Sequence, residues 1–218
     1  MAAVFRRSIG TLVGTGRTRR AARAGLIAGI AMFAASSSYA ATLTTLASFT
    51  GANGRSSYAG LTADAAGNLY GTTPGGGASG KGTVFKLSAG GALTTLASFT
   101  GANGASSYAG LTADAAGNLY GTTGQGGASN YGTVFKLSAG GALTTLASFD
   151  YTNGAYSYAG LIADAAGSLY GTTFYGGAYD AGTVFKLSAG GALTTLASFD
   201  GTNGAYSLAG LTADAAGN

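Results

Sequence analysis

Apolar residues along most of this chain come in short bursts, each too brief for a helix and each closed by a turn signal. Between Gly110 and Ala159 four bursts follow one another: Leu111-Thr112-Ala113, Leu119-Tyr120-Gly121-Thr122-Thr123, Thr133-Val134-Phe135-Lys136-Leu137, and a last one from Leu143 to Phe149. The connections are Asp114-Ala115-Ala116-Gly117-Asn118, a Gly-rich loop ending at Gly132, the pair Gly140-Gly141, and Asn153-Gly154. Asp opens a tight turn by accepting a backbone hydrogen bond, and Gly supplies the positive φ that closes it. β-branched and aromatic residues fill the bursts, and no amphipathic period of helical length occurs, so all four read as strands.

The pattern recurs every 50 residues without insertion or deletion. Complete copies run from Gly60 to Ala109, Gly110 to Ala159 and Gly160 to Ala209; part of a copy precedes them (42–59) and part follows (210–218). Four strands in a unit of this length describe a propeller blade. The expected fold class is therefore all-β: propeller-like tandem blades of four antiparallel strands in an open array of about three and a half repeats. A β-solenoid is the alternative architecture, but its coils use fewer residues, and the hairpin turns suit an antiparallel meander. Small strand residues such as Ala113, Gly121 and Ala147 fit a sheet covered on both faces.

The motifs Leu119-Tyr120-Gly121-Thr122-Thr123, Gly126-Gly127 and Gly132-Thr133-Val134-Phe135-Lys136-Leu137, with Gly141 after them, resemble the "GloVer" tandem repeats of bacterial surface and secreted proteins. The Asp-x-x-Gly-Asn-Leu-Tyr stretch is also similar to the blade turn of NHL-type propellers. The resemblance implies an exported protein and brings no established activity.

Residues 1–40 have a different character. Six arginines and no acid lie in residues 1–23, followed by the uncharged run AGLIAGIAMFAA (24–35) and then Ser36-Ser37-Ser38-Tyr39-Ala40. This order matches a cleavable signal peptide ending at Ala40. A spanning helix needs about 20 apolar residues, so the run is short for a stable membrane anchor. The expected organisation is a signal peptide (1–40) and a repeat segment (41–218), the latter secreted, periplasmic or at the cell surface. Arg19-Arg20 lacks the apolar residue that a twin-arginine signal carries after the pair, and the export route stays open.

Charge and composition then remove several classes of function. The formal charge of +4 belongs to the leader. From Ala41 onward, Arg55, Lys81, Lys86, Lys136 and Lys186 face seven aspartates, a balance of −2, which offers no basic face for nucleic acid. The chain has no Cys, His, Glu or Trp, so thiolate chemistry, a Ser-His-Asp triad and the commonest metal ligands are absent. No catalytic residue, metal site or cofactor is expected. Asp64, Asp114, Asp164 and Asp214 recur in turns, and Lys86, Lys136 and Lys186 in third strands, which points to structural roles. The glycines of GTTGQGGA lack the Lys-Ser/Thr and following helix of a phosphate loop.

Differences between copies gather in two loops, the one after the second strand and the one after the fourth. A meander brings both to the same end of a blade, where relaxed drift and ligand binding are both compatible with change. Copy three is the most aromatic there. Its Phe174, Tyr175, Tyr179 and Asp180, with Asp150, Tyr151 and Tyr156 in the loop that leads into it, form the candidate ligand site. Rings beside carboxylates suit sugar stacking or contact with a surface protein, although the same rings could pack over the blade ends. The expected function is a non-catalytic binding or structural module of the envelope or exterior. A carbohydrate-binding protein using the aromatic loops, or a propeller lyase or glycosidase fragment, is the alternative. Partial copies at both ends, read as a fourth strand (Leu43 to Phe49) and a first strand (Leu211 to Ala213), also suggest a fragment or self-association that closes the ring.

Overall fold

The computed structural model describes residues 43–214, and the chain divides into two units, Met1–Leu43 and Thr44–Asn218. The signal-peptide reading lies outside the described residues. Within the second unit, twelve strands follow in sequence: β1 (Thr62–Ala63), β2 (Leu69–Thr73), β3 (Thr83–Leu87), β4 (Leu93–Ser98), β5 (Thr112–Ala113), β6 (Leu119–Thr123), β7 (Thr133–Leu137), β8 (Leu143–Ser148), β9 (Ile162–Ala163), β10 (Leu169–Thr172), β11 (Thr183–Leu187) and β12 (Leu193–Ser198). They form three four-stranded antiparallel sheets in the orders β1-β2-β3-β4, β5-β6-β7-β8 and β9-β10-β11-β12. Each sheet is one repeat, and the architecture is an all-β, propeller-like series of meander blades.

Second and third strands occupy the residues expected of them, in registers such as Leu119↔Leu137 and Thr123↔Thr133. The first strand is shorter than its apolar burst, and the fourth ends at Ser148 rather than Phe149. The two partial copies differ more: residues 43–49 and 211–213 form no strand. A strand is defined by its ladder, and neither segment has a strand partner among the described residues.

Blades pack face to face through aromatic edges. Phe49, Phe99 and Phe149 each point into the following blade, edge-on to the Phe of its third strand. Phe49–Phe85, Phe99–Phe135 and Phe149–Phe185 all have centroids 5.1 Å apart. Val84, Phe99, Leu111, Leu119, Phe135 and Leu137 make one core between blades, and Val134, Phe149, Leu161, Leu169, Phe185 and Leu187 repeat it 50 residues later. Burying one such Phe is worth about 1.5–3 kcal/mol, so the repeats are held together mainly at these faces.

Two features make the close packing possible. Gly121 leaves room for the ring: a methyl there would lie 2.7 Å from Phe135 Cζ and 3.0 Å from Leu111 Cδ2. Buried hydroxyls bridge the blades, Thr72 Oγ1 donating to Ala109 O at 2.9 Å and Thr122 Oγ1 to Ala159 O at 3.2 Å. Among the described residues every buried side-chain polar atom has a hydrogen-bond partner, so these faces carry no desolvation penalty from orphaned groups.

The first strands also bridge successive repeats. Thr62 Oγ1 donates to Leu111 O and Thr112 Oγ1 to Leu161 O, each reaching the next repeat.

Two glycines separate packing from backbone strain. Gly167 has φ +81° but open surroundings, its nearest neighbour being Ala189 Cβ at 3.8 Å from an added methyl. Gly167→Val should destabilise by about 1 kcal/mol or more, because a β-branched residue resists positive φ. Gly121→Ala should cost about 1–3 kcal/mol by overpacking. In urea melts, adding Phe135→Leu should recover part of the second loss and none of the first; equal behaviour of the two would refute this division.

Candidate functional site

The two variable loops meet, and they meet across the repeat boundary as well as within it. Between copies two and three, Ala155 N donates to Tyr175 O at 2.8 Å and Tyr175 N to Ala155 O at 3.1 Å. Gly177 N donates to Tyr151 O at 2.9 Å. A methyl on Gly126 would lie 2.4 Å from Gly101 O, so backbone touches backbone here. Within a copy, Ser106 N donates to Lys81 O at 3.0 Å, Tyr156 N to Tyr131 O at 2.9 Å and Tyr206 N to Ala181 O at 2.8 Å. The loops of each copy are thus tied to the loops of the next.

Several variable positions hold left-handed backbone without being glycine. Ser56, Ser106, Tyr156 and Tyr206 have φ between 53° and 61°, and Asn130 and Asp180 have 62° and 57°. Tyr151, with φ 76°, stands where the other copies have Gly51, Gly101 and Gly201. A bulky residue in this region costs about 1–3 kcal/mol. What holds it is local: Tyr151 donates its hydroxyl to Asp180 Oδ1 at 2.6 Å, and its ring lies 4.9 Å from that of Tyr131.

From Tyr151 a continuous chain of ring contacts crosses the loop face. Tyr131 touches Tyr156 (5.9 Å), Tyr156 touches Tyr175 (6.1 Å), and Tyr175 touches Phe174 (4.7 Å). Tyr206 caps both Phe174 and Tyr175 at 5.3 Å. Phe174 continues to Tyr158 (5.7 Å), which meets Tyr108 (5.3 Å), which meets Tyr58 (5.6 Å). Tyr58, Tyr108, Tyr158 and Leu208 line a cavity of about 430 Å³. A second cavity, of about 480 Å³, lies between the third blade and residues 211–213 and is lined by Val184, Leu196 and Leu211 among others. Its wall matches the surface that the next blade covers in the earlier copies, where Val84 and Val134 are fully buried. It is a packing face.

Of the residues singled out from the sequence, Tyr151, Tyr156, Phe174 and Tyr175 come together as one surface, with Asp180 tied to Tyr151. Asp150 serves its own turn: its Oδ1 accepts from Asn153 N and Thr152 Oγ1, which hold its pKa below the usual carboxylate range, the backbone amide of Asn153 most of all. Tyr179 stands 66% exposed, in a turn beside the surface. The sequence reading missed Tyr131 and Tyr206, which lie in copies two and three and join because the loop after each fourth strand bonds back to the earlier variable loop of its own copy. It also missed Tyr58, Tyr108 and Tyr158, whose recurrence at one repeat position was the available signal.

At the turns after the first strands, the aspartates are structural. Asp64 Oδ2 accepts from Asn68 Nδ2 (2.7 Å) and Tyr70 Oη (2.9 Å), and Oδ1 accepts from the Ala66 and Asn68 amides. These bonds, led by the Asn68 side chain, hold its pKa down to about 2. Lys86, Lys136 and Lys186 lie 5.2–5.7 Å from the rings of Tyr70, Tyr120 and Tyr170. Among the described residues no three acidic side chains converge to hold a metal.

The Asp180 hydrogen bond pushes the Tyr151 hydroxyl up to about 12 from its ordinary 10.0. Folding therefore favours the neutral phenol, and this contribution to stability is intact below pH 10.0 and lost as pH rises through about 12. Titration of tyrosinate absorbance should show a late-ionising tyrosine that Asp180→Asn shifts toward the ordinary range. An unchanged curve would show that the bond does not control Tyr151.

Among solved structures, the chain is similar to the dipeptidyl peptidase 4 of Porphyromonas gingivalis (TM-score 0.40, 16% identity, covering 63% of this chain and 18% of that one). It is also similar to the virginiamycin B lyase of Staphylococcus aureus (TM-score 0.34, 12% identity, covering 67% of this chain and 57% of that one). The chain thus spans less than two thirds of either protein. No curated protein matches it. The sequence matches the Gloeobacter/Verrucomicrobia repeat over residues 2–218, and the chain belongs to that repeat family.

Proposed function

We propose that this chain is an exported, non-catalytic binding module that takes a glycan on the aromatic face formed where its variable loops meet. The observation that carries the reading is the continuous surface of rings from Tyr151 to Tyr206, assembled from loop positions on an otherwise nearly invariant scaffold. A rigid sheet framework presenting amphipathic rings offers large contact area at low ordering cost. Tyr175 and Tyr206 keep 38% and 50% of their surface exposed, so the patch is available to a ligand.

The non-catalytic part of the reading rests on chemistry. The chain has no His, Cys or Glu to act as a poised base or nucleophile. Tyr151 is a weaker acid than an ordinary phenol, and Asp64, Asp114 and Asp164 are engaged in turns. Export rests on the basic start, the short apolar run and the Ser38-Tyr39-Ala40 junction.

On a glycan array, Tyr175→Ala combined with Tyr206→Ala should lose about ten-fold or more in affinity while the melting temperature changes little. Tyr179→Ala, beside the patch, should bind as the parent does. A matched loss of stability and binding would make the rings packing residues, and unchanged binding would remove the patch from the site. The mature protein recovered from periplasm or medium should begin at Ala41 by mass spectrometry; a retained leader would refute cleavage.

A further inference from the structure

The column of Tyr58, Tyr108 and Tyr158 differs from the rest of the aromatic face. The patch around Tyr175 is built from positions that change between copies. The column is built from one repeat position that is Tyr in three successive copies and Leu208 in the fourth. Its spacing is set by the backbone. A methyl on Gly110 would lie 3.6 Å from Gly60 O, and one on Gly160 would lie 3.7 Å from Gly110 O, so successive copies touch two residues beyond each Tyr.

The rings consequently stand 5.6 and 5.3 Å apart, with interplanar angles of 51° and 87°. Tyr58 is 72% exposed and Tyr108 37% exposed, and they border the cavity of about 430 Å³. Tyr158 is half-buried, and desolvation raises its pKa. The lining residues carry no charge, so the groove is complementary to a neutral ligand.

Period and angle narrow the ligand further. A polyproline helix presents the same face every three residues, about 9 Å. An extended strand does so every second residue, about 6.6 Å. Neither matches the ring period of the column. One pyranose ring with its bridging oxygen is comparable in length, and sugar hydroxyls suit the phenol edges as their C–H faces suit the rings. The large angles between successive tyrosines exclude a flat ribbon, whose sugar faces stay parallel, and match a chain that turns as it advances.

We propose that Tyr58, Tyr108 and Tyr158 form a track for a coiled, neutral polysaccharide, one sugar per repeat, leading into the patch at Phe174 and Tyr206. This rests on the reading of the loop face as a glycan-binding surface. Leu208 closes the track with an apolar end.

The test is calorimetric titration of the full chain with malto- and laminari-oligosaccharides, from disaccharide to hexasaccharide, beside the flat cello series. Affinity for at least one coiled series should rise about three- to ten-fold per added sugar, the increment of a single aromatic contact, and then level off. Tyr58→Ala removes an exposed ring without disturbing the fold and should bring the plateau forward by one sugar. Tyr108→Ala should interrupt the rise, and its melting temperature is the control for folding. Length-independent binding, a cello series that binds as well, or an unchanged length dependence in both variants would overturn the track. If binding survives those variants but is lost in the Tyr175→Ala, Tyr206→Ala double variant, the track fails and the loop-face reading stands. If no oligosaccharide binds and the double variant changes nothing on the array, both fail.

Discussion

Successive copies are held in backbone contact, and the rest of the structure follows from that closeness. At Gly126 the carbonyl of Gly101, from the preceding copy, sits where a side chain would begin, and at Gly176 the carbonyl of Tyr151 does. With no free space at these points, neighbouring repeats cannot slide or tilt without collision. The Phe edges, the Thr hydroxyls reaching the next carbonyl and the 50-residue period are fitted to one spacing. A one-residue insertion in either contact loop would displace the glycine that admits the neighbour, which explains why the copies vary in side chain but not in length.

The blades were largely legible in the sequence because their signals are local. Leu119 to Thr123 and Thr133 to Leu137 alternate in a way that only a strand accommodates, and Asp114 with Gly117 closes the hairpin wherever it occurs. The exceptions arose where pairing, which is not local, decides the outcome. Residues 43–49 carry the same letters as β8 apart from their partner, and without a ladder they remain extended coil. Phe149 reads as the last strand residue, yet its place is in the next blade.

The candidate site was half legible. Reading copy three with the loop that leads into it found Tyr151, Tyr156, Phe174 and Tyr175, because substitutions among near-identical repeats mark the loops that scaffold contacts leave free. It missed Tyr131 and Tyr206 because the loop after a fourth strand touches the earlier variable loop of its own copy as well as that of the next, and nothing in the letters announces that double contact. Left-handed backbone was equally hidden. Gly, Asn and Asp at residues 80, 130 and 180 are consistent with it, but Ser106, Tyr156 and Tyr206 adopt it beside hydrogen bonds to the earlier variable loop of the same copy.

The paired main-chain bonds between Ala155 and Tyr175, with their equivalents in the other copies, have a consequence for how such a surface changes over generations. Tandem arrays grow and shrink by exchange of whole units, and each unit here contributes half of the surface on either side of its boundary. Inserting one 50-residue block therefore does not add one finished site. It splits an existing junction and creates two hybrid ones, each pairing an old loop with a new one. Because the pairing runs through main-chain atoms, a hybrid junction can form whatever side chains it carries. Shuffling identical scaffolds thus multiplies combinations of loops without any new loop sequence.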